Sequence, residues 1–425
     1  MALIKNYDAL ASSDERRVVL DLIEAGLEAI QPDKVMGENF LLTDDILKIQ
    51  GKDIDLTKFE NVYLLGFGKG SAKISGLIEN VLGDKMTAGY VIDVVAEQFK
   101  KIEFTLGTHP LPSQQNIDFT KKVMDKFKTL DEKDLVLIVT CGGGSVLLEA
   151  PHTLALDKMI KVNKALLHSG ATISEMNAVR KHLDSVKGGG LAKILFPACV
   201  YNLLFSDVPG NDLSVISSGP TVKDKTTEAD ALSILSKYNI KEELSLEIAN
   251  FIESPKDDKY FENIHNVLIL SNETALGAMK SKAEELGLSA KIVTDCFESD
   301  ANDAGQKLID MCEPGSILLV GGETSLKVTG GGDGGRNQQL VLAVLDKLDD
   351  NTIIASFDSD GWDNSEACGA IGDKLTMEHA KAKNLDLKKY LVENNSFAFF
   401  MDVGDAILTG RLPSNVSDLM IVSKL

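Results

Sequence analysis

Positive charge is in short supply in this 425-residue chain. Its 44 lysines and arginines face 64 aspartates and glutamates, a formal net charge of −20. A field of that sign repels nucleic acid and anionic lipid, so neither is an expected partner. Cysteine is sparse: Cys141, Cys199, Cys296, Cys312 and Cys368 are scattered, odd in number and form no C-x-x-C pair. That argues against a disulfide framework or a structural zinc, and a reducing cytoplasmic location is expected. No apolar run reaches the roughly 18 residues of a membrane span, and residues 1–10 lack the apolar stretch of a secretory leader. Tryptophan occurs once, as Trp362, and only five basic residues are arginine: Arg16, Arg17, Arg180, Arg336 and Arg411.

What is present is ordinary globular composition, 44% hydrophobic and 25% charged, in a chain long enough for two or three domains. Strand-like and helix-like segments alternate almost throughout, which predicts α/β layers with a largely parallel sheet. Residues 14–30 read as an amphipathic helix carrying Arg16 and Arg17 on its surface. Strands are expected at 61–66, 89–94, 134–140 and 198–205, and a second series at 266–270, 290–294, 316–320 and 352–357. The charged, largely helical stretch from 224 to 262 interrupts the pattern. A domain junction is placed near its start, giving domains 1–230 and 231–425.

Glycine is concentrated where strands hand over to helices. Gly66-Phe67-Gly68-Lys69-Gly70-Ser71 follows one strand, and Gly142-Gly143-Gly144-Ser145 follows another. Gly188-Gly189-Gly190 follows Lys187, and Gly330-Gly331-Gly332-Asp333-Gly334-Gly335 precedes Arg336. Strand, glycines, helix is the arrangement in which backbone N–H groups face an anion. No segment supplies a Walker G-x-x-x-x-G-K-[ST], and the dinucleotide G-x-G-x-x-G is broken by Ser71. Asp93 nevertheless ends the next strand, where a ribose-binding acid would stand. That supports a competing reading as a nicotinamide-dependent oxidoreductase. A non-catalytic regulator is a third reading, with no basic face or helix-turn-helix behind it. Lys69, a point charge in the mouth of the turn, favours phosphoryl chemistry.

Further motifs join these loops: Thr108-His109-Pro110-Leu111-Pro112, the run from Asn177 through Arg180 to Gly189, Ser206-Asp207-Val208-Pro209-Gly210-Asn211-Asp212 and Ile216-Ser217-Ser218-Gly219-Pro220-Thr221. In the second half come Gly321-Gly322-Glu323-Thr324, Gly334-Gly335-Arg336-Asn337-Gln338 and Asp360-Gly361. Together, and in this order, they resemble the two-domain glycerate kinases with a C-terminal MOFRL domain. The resemblance runs from about Gly66 to the C-terminus. It implies a Rossmann-like, doubly wound N-terminal domain, a smaller α/β C-terminal domain and a cleft between them. It also implies ATP-dependent, Mg²⁺-assisted phosphorylation of D-glycerate, often at the 2-hydroxyl. Beside it, the competing oxidoreductase reading becomes an NAD(P)H-dependent hydroxypyruvate reductase, hydroxypyruvate being a neighbouring metabolite, and the third a non-catalytic sugar-acid-binding regulator. Apart from the resemblance, a monomer or homodimer is the general expectation.

By position, Lys69 and Arg336 match the basic residues that the family places in its cleft, and Asp207 matches the acidic residue of the family's Ser-Asp-Val-Pro-Gly segment. These three are the expected catalytic residues. Lys69 and Arg336 would grip the transferring phosphoryl group from two domains, and Asp207 would orient or deprotonate the attacking hydroxyl. Gly142, Gly143, Gly144, Ser145, Arg180 and Lys187 are expected to hold the substrate carboxylate. Gly68, Glu323, Gly332, Gly334, Gly335, Asn337 and Asp360 are expected at the nucleotide, with the 330–335 loop offering N–H groups to the triphosphate. Asp207, Glu323 and Asp360 are the candidate Mg²⁺ ligands. His109 reads as a loop-fixing residue, His182 as helix packing or cleft lining, and Trp362 as a domain-edge cover or an adenine stack. Cys141 has no evident His–acid partner and is not expected to act as a nucleophile. The sequence departs from the family pattern twice: at Asp358-Ser359-Asp360-Gly361-Trp362-Asp363-Asn364, and at Thr409-Gly410-Arg411-Leu412-Pro413-Ser414-Asn415, where the family has Thr-Gly-Pro-Thr-Gly-Thr-Asn.

Overall fold

Residues 134–140, Asp-Leu-Val-Leu-Ile-Val-Thr, form the strand Asp134–Thr140, and every one of them is buried. A run apolar on both faces belongs in a parallel sheet covered on both sides. In the computed structural model, which describes residues 2–425, that strand lies near the middle of a six-stranded sheet. The strand order is Ile102–Leu106, Ala88–Asp93, Asn61–Phe67, Asp134–Thr140, Cys199–Phe205, Ile264–Leu270. The first five are parallel. Numbered along the chain this is the 3-2-1-4-5-6 order of a doubly wound Rossmann-like sheet, as expected. A small antiparallel meander, Phe40–Thr43, Ile46–Ile49 and Lys52–Asp55, precedes it.

The chain divides into two compact units, residues 36–269 and residues 1–35 together with 270–425. This corrects the expected junction at 230/231, which falls inside helix Glu228–Lys237. Ala231 and Leu235 of that helix pack with Val179, Leu183 and Phe251 in a satellite core of the first unit. The charged outer face of this stretch disguised a narrow apolar stripe.

The second unit is also α/β, but its sheet is mixed. Its order is Ala290–Phe297, Ile317–Gly322, Asp418–Ser423, Ile353–Asp358, Gly369–Gly372, Ala406–Ile407. Only the first pair is parallel. Two expectations change here. Strand Ile264–Leu270 joins the first sheet rather than the second. Residues 418–423, not expected as a strand, take a central place in the second.

Helix Asp14–Ala29 belongs to this second unit, and Arg16 is not on its surface. Arg16 is 1% exposed. Its Nε and Nη2 donate to Asp373 at 2.7 Å, and its Nη1 donates to Asp405 at 2.6 Å. Two carboxylates and Thr376 Oγ1 take up the guanidinium donors, which is what allows such a group to be buried.

Candidate active site

In a doubly wound sheet the ligand crevice opens at the carboxyl ends of the strands where the order reverses. Here that point lies between Asn61–Phe67 and Asp134–Thr140. The loops leaving these strands are tied together: Cys141 N donates to Phe67 O at 3.0 Å, and Lys69 N donates to Gly142 O at 2.8 Å. Gly68, at φ +107°, lies so close to the Cys141 carbonyl that a Cβ would overlap it. Only glycine permits both that backbone and that approach.

Side chains gather on the second loop. The Asp207 carboxylate rests against Gly142, occupying the place a Cβ would take. A Cβ on Gly143 would lie 3.1 Å from His109 Nε2 and 3.4 Å from Lys69 Cε. Ser217 Oγ covers Gly144 and donates to Cys141 O at 3.3 Å. Ser145 Oγ lies 2.9 Å from Ser218 Oγ, which donates to Asn177 Oδ1 at 3.1 Å. The N–H groups of Gly142 and Gly143 have no acceptor among the described residues. Ser217 and Ser218 sit at φ +51° and +60°, a strained conformation for residues with a Cβ and one that concentrates at functional sites. Burial, then the neighbouring Lys69 ammonium, pushes the His109 imidazole below its ordinary value, so it is neutral at pH 7. The structure therefore brings Lys69, Asp207, Gly142, Gly143, Gly144 and Ser145 together, and adds His109 and Ser217. The Thr108-His109-Pro110 and Ser217-Ser218-Gly219 motifs were the signal for those two residues. Read alone, each motif is also a turn.

Other expected residues stand elsewhere. Lys187 is 3% exposed and ion-paired to Glu149 at 2.6 Å and Asp184 at 3.0 Å. That corrects its place: it is the buried counter-ion of two carboxylates, not a group open to a substrate carboxylate. Desolvation, only partly offset by Lys187, pushes the Glu149 carboxyl up. Arg180 Nε donates to Asn163 Oδ1 at 2.8 Å. His182 is fully buried, with its ring between Ile252 O and Thr226 Oγ1, and lines no opening. Asp93 is 1% exposed and accepts from Ala72 N at 2.9 Å and Val94 N at 2.6 Å. It caps helix Ser71–Leu82, so the acid that a dinucleotide ribose would need is already spent on backbone.

The second unit has its own polar cluster. Arg336 donates through Nη1 to Glu323 Oε1 at 2.6 Å and through Nε to Asp418 Oδ2 at 2.8 Å, and its Nη2 lies 3.6 Å from Asp358 Oδ2. These acids come together because Gly322 and Asp358 both pair in register with Asp418. Burial, then the Asp418 and Asp360 charges, pushes the Asp358 carboxyl well up. Burial raises Asp418 too, while Arg336 and Asn337 pull it down. Asn337 is fully buried, donating to Asp418 Oδ1 at 2.8 Å and accepting from Ser356 Oγ at 2.5 Å. It ties the cluster together and is not open to a nucleotide.

The 330–335 loop is the clearest correction. Gly330 N donates to Asn394 Oδ1 at 2.9 Å, Gly332 N to Glu393 O at 2.9 Å and Asp333 N to Asn395 Oδ1 at 3.2 Å. Residues 393–396 lie against Gly330, Gly332 and Gly334 where side chains would be, and Asp363 does the same at Gly335. The Asp363 carboxylate then caps helix Arg336–Leu342, accepting from Asn337 N and Gln338 N at 3.2 and 2.9 Å. The glycines here make room for protein, and the N–H groups of Gly330, Gly332 and Asp333 are taken rather than offered to triphosphate oxygens.

Comparison with known proteins matches this architecture. A family model described as a domain of unknown function (DUF4147) matches residues 18–253, and the MOFRL family model matches residues 316–418. The chain is 33% identical to glycerate 2-kinase of Pyrococcus horikoshii, over 97% of this chain and 98% of that one. It belongs to the two-domain glycerate kinase family. A crystal structure of glycerate kinase from Thermotoga maritima superposes with a TM-score of 0.85 at 33% identity, covering 96% of this chain and 99% of that one. A protein of Agrobacterium vitis named putative hydroxypyruvate reductase is 34% identical over 84% of this chain and 86% of its own length. The family's two names are weighed by the site itself, where Asp93 is committed to its helix. Among the described residues no helix is long and apolar enough to cross a membrane.

Proposed function

We propose that this protein transfers the terminal phosphoryl group of ATP to D-glycerate and that the product is 2-phosphoglycerate. The observation that supports this most is the gathering of Lys69, His109 and Asp207 around the open N–H groups of Gly142 and Gly143 at the switch point. Glycerate presents a carboxylate beside two hydroxyls. The Gly142 and Gly143 N–H groups and the Ser145 and Ser217 hydroxyls suit the carboxylate. Asp207, seated on Gly142, takes the proton of the attacking hydroxyl. Lys69 compensates the charge on the transferring group. Neutral His109 adds a hydrogen-bonding edge without adding repulsion to Lys69. Arg180 serves as a further cation on the substrate side, and Lys187 acts beneath it by holding Glu149 and Asp184 in place.

In the second unit, Arg336 takes its part by exchanging the exposed Glu323 carboxylate for phosphate oxygens while Asp418 keeps its Nε in place. Magnesium fits this unit. Glu323, Asp358 and Asp418 outnumber the single guanidinium among them, and Mg²⁺ takes one or two carboxylates together with phosphate oxygens. No three metal-ligating side chains form a ready cage among the described residues, so Glu323 and Asp360 would hold the ion with the donor's own oxygens. Bound there, it would screen the negative charge of the phosphate chain.

The test is an incubation with ATP, Mg²⁺ and D-glycerate, with the product isomer assigned by phosphorus NMR. ADP and 2-phosphoglycerate are expected. The 3-isomer would overturn the regiochemistry. NADH oxidation by hydroxypyruvate, without ADP formation, would overturn the kinase reading.

A further inference from the structure

The two places where the sequence departs from its family touch each other. Arg411 stacks on Trp362, its guanidinium carbon 4.1 Å from the ring centroid. The loops that carry them are joined at Asp360, which accepts from Trp362 N through Oδ1 at 2.9 Å and from Leu412 N through its carbonyl at 2.7 Å. Asp360 N in turn donates to Asp358 Oδ1 at 3.1 Å, and Asp358 faces Arg336. The stack thus stands beside the acid-rich strand ends.

The Arg411 charge is not paired with a neighbouring carboxylate among the described residues, which is also true of Arg17 and Arg180 but not of Arg16 or Arg336. Arg336 is surrounded by three carboxylates and Arg16 by two. Arg411 is exposed and has no carboxylate partner among the described residues. Lys5, also exposed and unpaired there, places its Nζ against Gly410. Two cations without a carboxylate partner thus stand together at one stacked surface. A guanidinium supported on an indole face loses little freedom when it binds, and its free edge suits two phosphate oxygens. Three of the glycine-loop donors in this unit, those of Gly330, Gly332 and Asp333, are consumed by protein, so a free guanidinium supplies what they no longer offer.

We propose that Arg411, supported by Trp362 and assisted by Lys5, binds the phosphate chain of the nucleotide donor. This deepens the kinase reading and rests on it for the identity of the ligand. Trp362 is the only tryptophan, so its fluorescence reports the site directly. Titrating the full-length protein with inorganic tripolyphosphate, and separately with ADP, should change that emission. Arg411→Ala should weaken both titrations about tenfold or more, as expected for losing a charge-assisted pair of hydrogen bonds. Lys5→Ala should weaken them less, and the KM for D-glycerate should stay unchanged. Arg411→Lys, which keeps the charge and loses the fork, should fall between wild type and Arg411→Ala. Unchanged tripolyphosphate binding in Arg411→Ala would overturn the proposal. So would an Arg411-dependent response to 2-phosphoglycerate but not to tripolyphosphate. Failure of the kinase reading looks different: tripolyphosphate still binds through Arg411, but no glycerate is phosphorylated.

Discussion

The loops at 142–145 and 330–335 look alike in sequence and differ in structure. Each is a run of glycines between a strand and a helix. At the first, Gly142 and Gly143 keep their N–H groups open and functional side chains converge on their Cα atoms. At the second, Asn394, Asn395 and the Glu393 carbonyl take the N–H groups of Gly330, Asp333 and Gly332, and Asp363 caps the helix. Glycine allows close approach in both places. What lies against the first loop is the charged and polar side chains of Lys69, His109 and Asp207, and what lies against the second is the chain at 393–397. A glycine-rich turn therefore reports close packing first, and anion binding only when its donors remain unspent.

That contrast can be broken or sharpened by experiment. The largest expected effect is on Lys69→Ala, whose kcat should fall about 10²–10³-fold, the usual loss for one charge-stabilising donor, with Tm nearly unchanged because the side chain is exposed. Near-normal turnover would remove Lys69 from the chemistry. Gly142→Ala comes next. Its methyl group displaces Asp207, and a misplacement of about 1 Å can cost about 10²-fold, so kcat/KM should drop while the melting curve holds. Asn394→Ala makes the opposite prediction. It leaves the Thr329 and Gly330 N–H groups without their acceptor, so urea unfolding should show a loss of about 1–3 kcal/mol with activity per folded molecule retained. If Asn394→Ala instead abolishes turnover while the protein stays stable, the two loops are not different in kind.

The smallest effect is on pH. The folded pKa of His109 lies below its ordinary 6.5, so the unfolded chain binds the proton first. The stability His109 contributes is then present above about pH 6.5 and is lost as pH falls through the lower, folded value. NMR titration of the histidine ring protons should show this, and Lys69→Met should move the His109 midpoint upward. A midpoint unmoved by Lys69→Met would mean that the two groups do not sense each other.

Much of the first unit was legible from residue pattern. The apolar run at 134–140 is a strand because nothing else buries seven consecutive side chains so simply, and the strand–glycine–helix punctuation placed Lys69, Gly142 and Asp207 at strand ends. Less was legible where a residue's partner lies far along the chain. Arg16 looks like a surface charge until Asp373 and Asp405 arrive from more than 350 residues away. Lys187 looks like a free cation until Glu149 folds over it. Asp93 looks like a ribose ligand until the start of helix Ser71–Leu82 takes its oxygens.

Periodicity and turn chemistry are local, so the sequence by itself determined the α/β alternation, the parallel first sheet and the residues able to reach its carboxyl edge. Tertiary structure alone decided which of those residues stay available. Hydrogen-bond donors and charges are satisfied by whatever folds against them, and that partner is chosen by the packing of distant segments. The same cause brought the first helix to the far end of the chain and set residues 418–423 into the centre of the second sheet.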